Sequence, residues 1–297
     1  MYANLRNTFS PLTTANPAAA EPNSGDVISM PDMHAFDRAI ALEVVDDDVV
    51  RGTTRPEWAN MVGPFGGVTA AVLLRAIQVH PDCLGEPVAL TVNFAAPIGD
   101  GDFEISRRAP RTNRTNQHWI VELSQDGAVK TTATAIFGIR RDTWSDTQAV
   151  PPAAPPPEQL SRSSRENLPV WTDLYDMRFA EGSFSGGAVQ TGSSSTTTLW
   201  VRDAAQRQVD FPALTAMSDI FFPRVYLRRG VIPAGTISMT TYFHADSQHL
   251  DALAGDYILA TARADRFDRG FFDQNAQLWS RDGALLATTY QIVYFKG

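Results

Sequence analysis

Three polar side chains in the second half of the chain have the residue types needed to hold and activate a water molecule. They are Asp219, Thr236 and Gln291. A carboxylate can accept a proton from water, while a hydroxyl and an amide can fill the remaining hydrogen-bonding positions of the same water. If the fold brings the three positions together, the sequence predicts one site for chemistry that uses water.

These residues stand out because the chain contains two similar segments and only the second carries them. Residues 88–138 and 237–295 each read as a hydrophobic strand, two further extended runs, a turn and a closing strand. Where the second copy has its Thr and its Gln, the first has Pro87 and Ala135, and no carboxylate takes the place of the Asp. Two similar half-folds with polar groups in only one of them indicate a single site at their junction.

Each copy is predicted to be a helix followed by strands. An almost wholly apolar helix is predicted over residues 63–79, and a second helix over 210–222. Alternating apolar residues predict strands in the first half at 34–45, 87–95, 102–109, 117–125 and 128–138, with a hairpin turn at 125–127. In the second half they predict strands at 174–190, 194–202, 236–245, 255–265, 270–281 and 284–295.

A buried helix wrapped by a curved antiparallel sheet is the hotdog fold, so the sequence predicts an α+β protein with two tandem hotdog units, a double hotdog. Pairing the two sheets edge to edge would protect their exposed strands. The predicted boundaries are a flexible leader at 1–33, an N-terminal hotdog at 34–141, a Pro- and Ser-rich linker at 142–169 and a C-terminal hotdog at 170–297. A transit peptide is the alternative for the leader.

Composition argues against several classes of function. The net charge is −8 and no basic cluster is longer than Arg-Arg, which argues against nucleic acid as a partner. Cys83 is the only cysteine, so an intrachain disulfide and a zinc–thiolate cluster are both excluded, and a cytoplasmic location is predicted. Apolar runs are too short for a membrane span and the five histidines are scattered, so we predict no membrane span, no metal and no cofactor.

Several motifs together resemble a known family. They are GPFGGVTAAVLLRAI and SQDG in the first half, and MSDIFFPRV, GTISMTTYFH, DRGFF and WSRDGALLATTYQ in the second. In these motifs the chain is similar to the double-hotdog acyl-CoA thioesterases of type II, the TesB-like proteins. The resemblance implies hydrolysis of an acyl thioester, with an acyl-CoA or another acyl thioester as substrate. Matched motif by motif, it places the family's catalytic Asp, Thr and Gln on Asp219, Thr236 and Gln291.

Further contacts with substrate are expected at three residues. Backbone N–H groups at a helix N-terminus are natural donors to an oxyanion, and Gly66 and Gly67 would let a ligand approach the backbone there. His244, at the end of a strand, is the third candidate. The chain departs from the family at Ser238 and Met239, where the strand motif commonly has Asp-His. That departure places the substrate class in question.

Alternative functions remain open at this stage. Asp219 read alone is a helix-end residue that satisfies backbone groups, and Gln291 read alone is a solvent-facing strand residue. A protein that binds an acyl ligand without hydrolysing it would keep the same groove. The acyl chain length and the choice between CoA and a carrier protein are not fixed by the sequence, and a homo-oligomer is possible because hotdog sheets tend to pair.

Overall fold

One antiparallel sheet runs through both halves of the chain. The computed structural model describes residues 33–164, 166–184 and 191–297, and within them the sheet has 13 strands. The first half contributes β1 (Glu43–Val44), β2 (Val49–Thr53), β3 (Glu86–Phe94), β4 (Asp102–Thr112), β5 (Asn116–Gln125) and β6 (Ala128–Gly138). The second half contributes β7 (Tyr175–Glu181), β8 (Thr197–Asp203), β9 (Ala234–Phe243), β10 (Ile258–Arg263), β11 (Phe267–Asp268), β12 (Phe271–Trp279) and β13 (Leu285–Phe295).

Two predicted segments lie partly or wholly outside the described residues. Of the leader predicted at 1–33, only Met33 lies within the described residues. The end of the strand predicted at 174–190, from residue 185 onward, also lies outside them. The other strands lie close to their predicted positions because apolar residues alternate along them with the period of a strand. The predicted hairpin between β5 and β6 is also present. It turns at Asp126 and Gly127, whose φ angles of 54° and 73° suit a tight turn between twisted strands.

The two halves meet through one pair of strands. The strand order is β1-β2-β4-β5-β6-β3-β9-β13-β12-β10-β8-β7, with β11 paired to β12. β3 and β9 pair antiparallel from Ala89 opposite Tyr242 to Asn93 opposite Ser238. Residues His34–Gly297 form one compact unit. The edge-to-edge pairing predicted for the double hotdog is therefore confirmed.

The segment predicted as a strand at 34–45 is mostly something else. It forms a short helix, α1 (Ala35–Ala39), and only Glu43–Val44 pair as a strand. The ring of His34 accepts a hydrogen bond from the backbone N–H of Phe36 at 3.1 Å and so caps the helix. Phe36 and Ala39 are buried on one face of the turn, which short alternation in the sequence did not distinguish from a strand.

Two helices lie against the sheet and against each other. α2 (Gly66–Gln78) is buried along most of its length, as its apolar sequence predicts. α3 (Phe211–Met217) is shorter than the predicted 210–222. Asp210 caps its start by accepting a hydrogen bond from the N–H of Ala213 at 2.8 Å. Two further short helices, α4 (Tyr226–Arg229) and α5 (Ser247–Ala252), were not predicted.

The Pro- and Ser-rich segment predicted as a linker packs on the second half. The indole N–H of Trp200 donates to the carbonyl of Pro155 at 2.8 Å, and Arg281 forms an ion pair with Glu158 at 2.8 Å. Ala154 and Leu160 pack against a buried aromatic cluster on the same side. The segment is therefore held to the sheet, although its boundaries as a linker remain a prediction.

Candidate active site

Asp219, Thr236 and Gln291 form one chain of hydrogen bonds. The hydroxyl of Thr236 donates to Oε1 of Gln291 at 3.0 Å, and Nε2 of Gln291 donates to Oδ1 of Asp219 at 2.8 Å. Gln291 is buried, while the other two side chains are partly buried. The structure thus brings together the three residues that the sequence singled out, with the amide in the middle.

Each of the three has a local reason for its position. Asp219 lies two residues after α3 ends, with its N–H bonded to the carbonyl of Ala216 at 3.1 Å. On β9 an irregularity in the pairing with β13 leaves Ile237 outside the regular ladder, between Ser238 and Thr236. A bulge of this kind re-aims side chains. Here Ile237 is exposed and Thr236 faces Gln291 instead.

The glycines at the start of α2 hold the carboxylate of Asp219. A Cβ on Gly66 would lie 2.6 Å from Oδ2 of Asp219, so only glycine allows this approach. A Cβ on Gly67 would lie 2.5 Å from the carbonyl oxygen of Ala216. The backbone N–H of Gly67 lies near enough to the Asp219 carboxylate to lower its pKa. The N-terminus of α2 therefore lies against the protein's own carboxylate, and the contact of Gly66 and Gly67 with substrate stays a prediction.

Burial changes the acidity of Asp219. Loss of solvent raises the pKa of the Asp219 carboxyl to about 7, and this effect outweighs the lowering by the Gln291 amide and the Gly67 N–H. At neutral pH the carboxyl group is thus divided between its two protonation states. A carboxylate with a pKa near the working pH is well suited to accept and return a proton.

A large cavity opens beside this chain of hydrogen bonds. Its volume is about 560 Å³, and Asp219, Thr236 and Gln291 all contribute to its wall. The rest of the wall is mostly apolar and includes the aromatic residues Phe65, Trp171, Tyr175, Phe179, Phe184, Phe221, Phe222 and Tyr226. Phe65 and Trp171 stack with ring centroids 3.9 Å apart, which joins the first half to the segment before β7. An apolar chain attached to a polar reacting group fits such a space.

Comparison with known proteins places the chain in a family. Residues 147–295 match the family model of the acyl-CoA thioesterase C-terminal domain, and residues 54–138 match that of the acyl-CoA thioesterase N-terminal domain. The chain belongs to the acyl-CoA thioesterase family. Both halves of a two-domain thioesterase are thus represented, which agrees with the resemblance drawn from the sequence motifs. A search of the curated proteins found no match to this chain.

Solved structures agree with the fold of this family. A hotdog-fold protein of unknown function from Alicyclobacillus acidocaldarius is 45% identical over 89% of this chain and 99% of its own, with a TM-score of 0.85. The tesB protein of Mycobacterium avium subspecies paratuberculosis is 19% identical over 91% and 100% of the two chains, with a TM-score of 0.73. Acyl-CoA thioesterase II TesB2 from Mycobacterium marinum is 18% identical over 88% and 98%, with a TM-score of 0.71.

His244 lies apart from the cavity and from the three hydrogen-bonded residues. It follows the last residue of β9, whereas Thr236 lies near the first, so about eight residues at about 3.3 Å each separate them. Its ring bonds to Oγ1 of Thr288 at 3.0 Å and it does not line the cavity. Burial and Arg140 lower the pKa of His244. Its contact with substrate stays a prediction, for a part of the ligand outside the cavity.

The residues that depart from the family motif have ordinary roles here. Met239 is buried, and its sulfur lies 3.5 Å from Nε2 of Gln291 as a weak acceptor. Ser238 pairs with Asn93 across the junction of the two halves. Neither change interrupts the hydrogen bonds of Thr236, Gln291 and Asp219.

Two polar residues near the cavity were missed by the sequence analysis. Gln274 on β12 is 2% exposed and lines the cavity, and Arg224 is fully buried behind it. A signal for Gln274 was present, since it occupies an inward position of β12 between Phe272 and Ala276. In the described part of the chain no cluster of three or more His, Cys, Asp and Glu could hold a metal ion, and no helix is long and apolar enough to cross a membrane.

Proposed function

We propose that this chain hydrolyses acyl thioesters, with acyl-CoA as the substrate class and Asp219 as the general base. One observation carries the proposal. A hydrogen-bonded chain of Thr236, Gln291 and Asp219 forms part of the wall of an apolar cavity of about 560 Å³. Membership of the acyl-CoA thioesterase family supports the same chemistry.

The directions of the hydrogen bonds assign a role to each residue. The single proton of the Thr236 hydroxyl is donated to Gln291, so toward water this hydroxyl acts only as an acceptor. The ionised carboxylate of Asp219 is also an acceptor. A water that donates one proton to each of them turns its lone pairs away from both, toward the substrate. Gln291 has its oxygen on Thr236 and its nitrogen on Asp219, so it orients these two groups instead of holding the water.

The reaction then needs no covalent intermediate with the protein. The water oxygen bonds to the thioester carbonyl carbon as its proton passes to Asp219 and the π electrons of the carbonyl move to its oxygen. When the carbonyl re-forms, the carbon–sulfur bond breaks. The sulfur leaves with that electron pair and takes up the proton from Asp219, which gives a free thiol and a carboxylic acid. The pKa of about 7 for Asp219 fits both proton transfers.

The cavity supplies the binding energy for the acyl group. Its aromatic and aliphatic wall removes apolar surface from water, which stabilises the bound chain by about 25 cal/mol for each Å². The acyl length therefore follows from how far the chain fills the space. A cytoplasmic location and a homo-oligomer remain predictions beside this proposal.

The test is thiol release from a panel of short, medium, long and aromatic acyl-CoAs. We expect wild-type protein to release thiol and Asp219→Asn to lose about 10²–10⁴-fold in kcat, because the general base is gone. Asp251→Asn, an exposed carboxylate on α5, is the matched control and should retain full activity. Equal turnover by Asp219→Asn would exclude this mechanism. A folded wild-type protein that binds acyl-CoA but releases no thiol would favour the alternative of an acyl-binding protein.

A further inference from the structure

Negative charge develops on the thioester oxygen during hydrolysis and needs a hydrogen-bond donor. Asp219, Thr236 and Gln291 do not supply one. The hydroxyl of Thr236 donates its proton to Gln291. The amide of Gln291 donates to Asp219 and faces the sulfur of Met239. The start of α2 lies against the Asp219 carboxylate, and neither Gly66 nor Gly67 lines the cavity. An oxyanion needs donors aimed at it.

Gln274 stands beside Gln291 in the sheet. The two residues are direct partners in the antiparallel pairing of β12 with β13. Side chains of such partners project from the same face of a sheet, with Cβ atoms about 4.5–5.5 Å apart. Both residues line the cavity. An acyl thioester placed against the water held by Asp219 and Thr236 therefore lies within reach of the Gln274 amide.

Arg224 determines which end of that amide faces the cavity. Its Nε donates to Oε1 of Gln274 at 3.1 Å. A guanidinium group has donors and no acceptor, so the oxygen of Gln274 must face Arg224 and the NH₂ group must face away. In the described part of the chain, Nε2 of Gln274 makes no hydrogen bond. It is thus an oriented donor on the cavity wall.

The positive charge of Arg224 strengthens this donor. Arg224 is completely buried, and its partners in the described chain are Gln274, Thr197 and the carbonyls of Ser195 and Phe222, with no carboxylate among them. Burial lowers the pKa of Arg224 to about 9, which leaves it protonated at neutral pH. An unneutralised charge in a region of low dielectric constant polarises the amide that accepts from it.

We propose that Gln274, oriented by Arg224, is a further catalytic residue, whose Nε2 donates a hydrogen bond to the thioester carbonyl oxygen and stabilises the oxyanion that forms there. This inference rests on the proposed function, which supplies the acyl thioester as substrate. It replaces the N-terminus of α2 as the expected donor. Arg224 is a positioning residue in this scheme because it acts only through Gln274.

The kinetic test uses Gln274→Met, which keeps the side-chain length and removes the donor. Arg224 retains Phe222 as an acceptor for its Nε in this variant. We expect kcat for the best acyl-CoA to fall about 10²–10³-fold with KM close to wild type, because the donor acts mainly in the transition state. Gln277→Met is the matched control, on the same strand at a position of opposite orientation, and should retain wild-type kinetics. If Gln274→Met fails to fold, Gln274→Glu keeps an acceptor for Arg224, removes the donor and should show the same loss.

A second readout does not depend on turnover. The carbonyl stretch of 2-decanone labelled with ¹³C at its carbonyl is measured by infrared difference spectroscopy in complex with each variant. We expect a band shifted to lower frequency in wild-type protein, in Asp219→Asn and in Gln277→Met, and loss of that shift in Gln274→Met. A structural role for Gln274 alone would not produce this pattern.

The combined outcomes separate the two proposals. Hydrolysis that depends on Asp219 but is unchanged in Gln274→Met overturns the role of Gln274 and leaves the proposed function standing. A carbonyl shift that depends on Gln274 in a protein without hydrolysis supports the donor and overturns the proposed function. If the wild-type protein neither hydrolyses acyl-CoAs nor binds the ketone, both proposals are overturned.

Discussion

Each half of the molecule has three neighbouring strands in the same arrangement, β5-β6-β3 in the first half and β12-β13-β9 in the second. The side chains at corresponding positions of these strands differ. In the first half, Ala135 on β6 stands opposite Trp119 on β5. In the second half, Gln291 on β13 stands opposite Gln274 on β12. Trp119 is 1% exposed and fills its half with a large ring, whereas two amides leave room and supply hydrogen bonds. A similar fold thus holds a packed core in one half and, in the other, the polar part of a mostly apolar cavity wall.

The helices differ in the same sense. α2 continues for 13 residues, whereas α3 ends after 7 and passes into the segment that carries Asp219. The first half holds a cavity of about 20 Å³ against α2, compared with about 560 Å³ for the cavity beside Asp219. The shorter helix leaves space that a longer one would fill. The candidate site thus lies in the half where the helix is shorter and where two amides take the places of Trp119 and Ala135.

Among the changes that exchange residues between the two halves, Gln291→Ala is expected to have the largest effect, because it gives the second half the residue found at Ala135 in the first. Asp219 and Thr236 lose the amide that orients them, so we expect kcat to fall about 100-fold. The amide also lowers the pKa of Asp219, so its removal should move the acidic midpoint of the pH–rate profile upward. Steady-state kinetics from pH 5 to 9 measure both effects. A midpoint that does not move would show that Gln291 has no influence on Asp219.

Narrowing the cavity should have a smaller and selective effect. Ala234 on β9 lines the cavity, and Ala234→Phe places a ring in that space. We expect kcat/KM for the longest accepted acyl-CoA to fall about tenfold while short acyl-CoAs are little affected, since lost apolar contacts cost about 1–3 kcal/mol. Ile237→Phe, at an exposed position of the same strand, is the control. A uniform loss over all chain lengths would argue that the acyl group lies elsewhere.

The pH dependence follows from Asp219 being the base. Because burial raises its pKa to about 7, kcat/KM should rise tenfold per pH unit below 7 and level off above it. Kinetics over this range with a substrate stable to base provide the measurement. A flat profile from pH 5 to 8 would mean that Asp219 is ionised throughout and that its burial is overcome by other groups.

The contribution of Asp219 to the free energy of unfolding should change with pH in the opposite direction to kcat/KM. The folded pKa of Asp219 lies above its ordinary value, so between about pH 4 and 7 the folded state binds more protons than the unfolded state. The contribution of Asp219 to the free energy of unfolding therefore declines as pH rises through this window. Relative to wild type, Asp219→Asn should gain stability from pH 4 to 8 in denaturant titrations. A constant difference would contradict the raised pKa.

Most of the fold follows from the sequence, for a physical reason. Strands with one buried face alternate strictly, and α2 is apolar on nearly every side, so both are recognisable without tertiary information. α1 was mistaken for a strand because five residues are too few to distinguish the two periods. α3 was predicted too long because the apolar residues Ile220, Phe221 and Phe222 continue past its end and line the cavity instead.

The site was only partly predictable. Asp219, Thr236 and Gln291 were found by comparing the two copies and by the family motifs, and the structure brings them together. The close approach of Asp219 to Gly66 was not predictable, since it depends on the contact between α2 and α3. Gln274 was missed although its counterpart in the first copy is the apolar Trp119, because it lies outside the family motifs that supplied the other three residues.

The smallest effect on activity is expected from the reverse exchange, Ala135→Gln in the first half. The new amide would lie among buried side chains next to Trp119, where no carboxylate follows a shortened helix. An amide buried without partners costs about 1–3 kcal/mol, so the free energy of unfolding should fall by that amount while kcat and KM stay at wild-type values. Denaturant titration and acyl-CoA kinetics on the same preparation check both. If Ala135→Gln gained hydrolysis and kept that gain when combined with Asp219→Asn, the added amide alone would have made the first half a second active site.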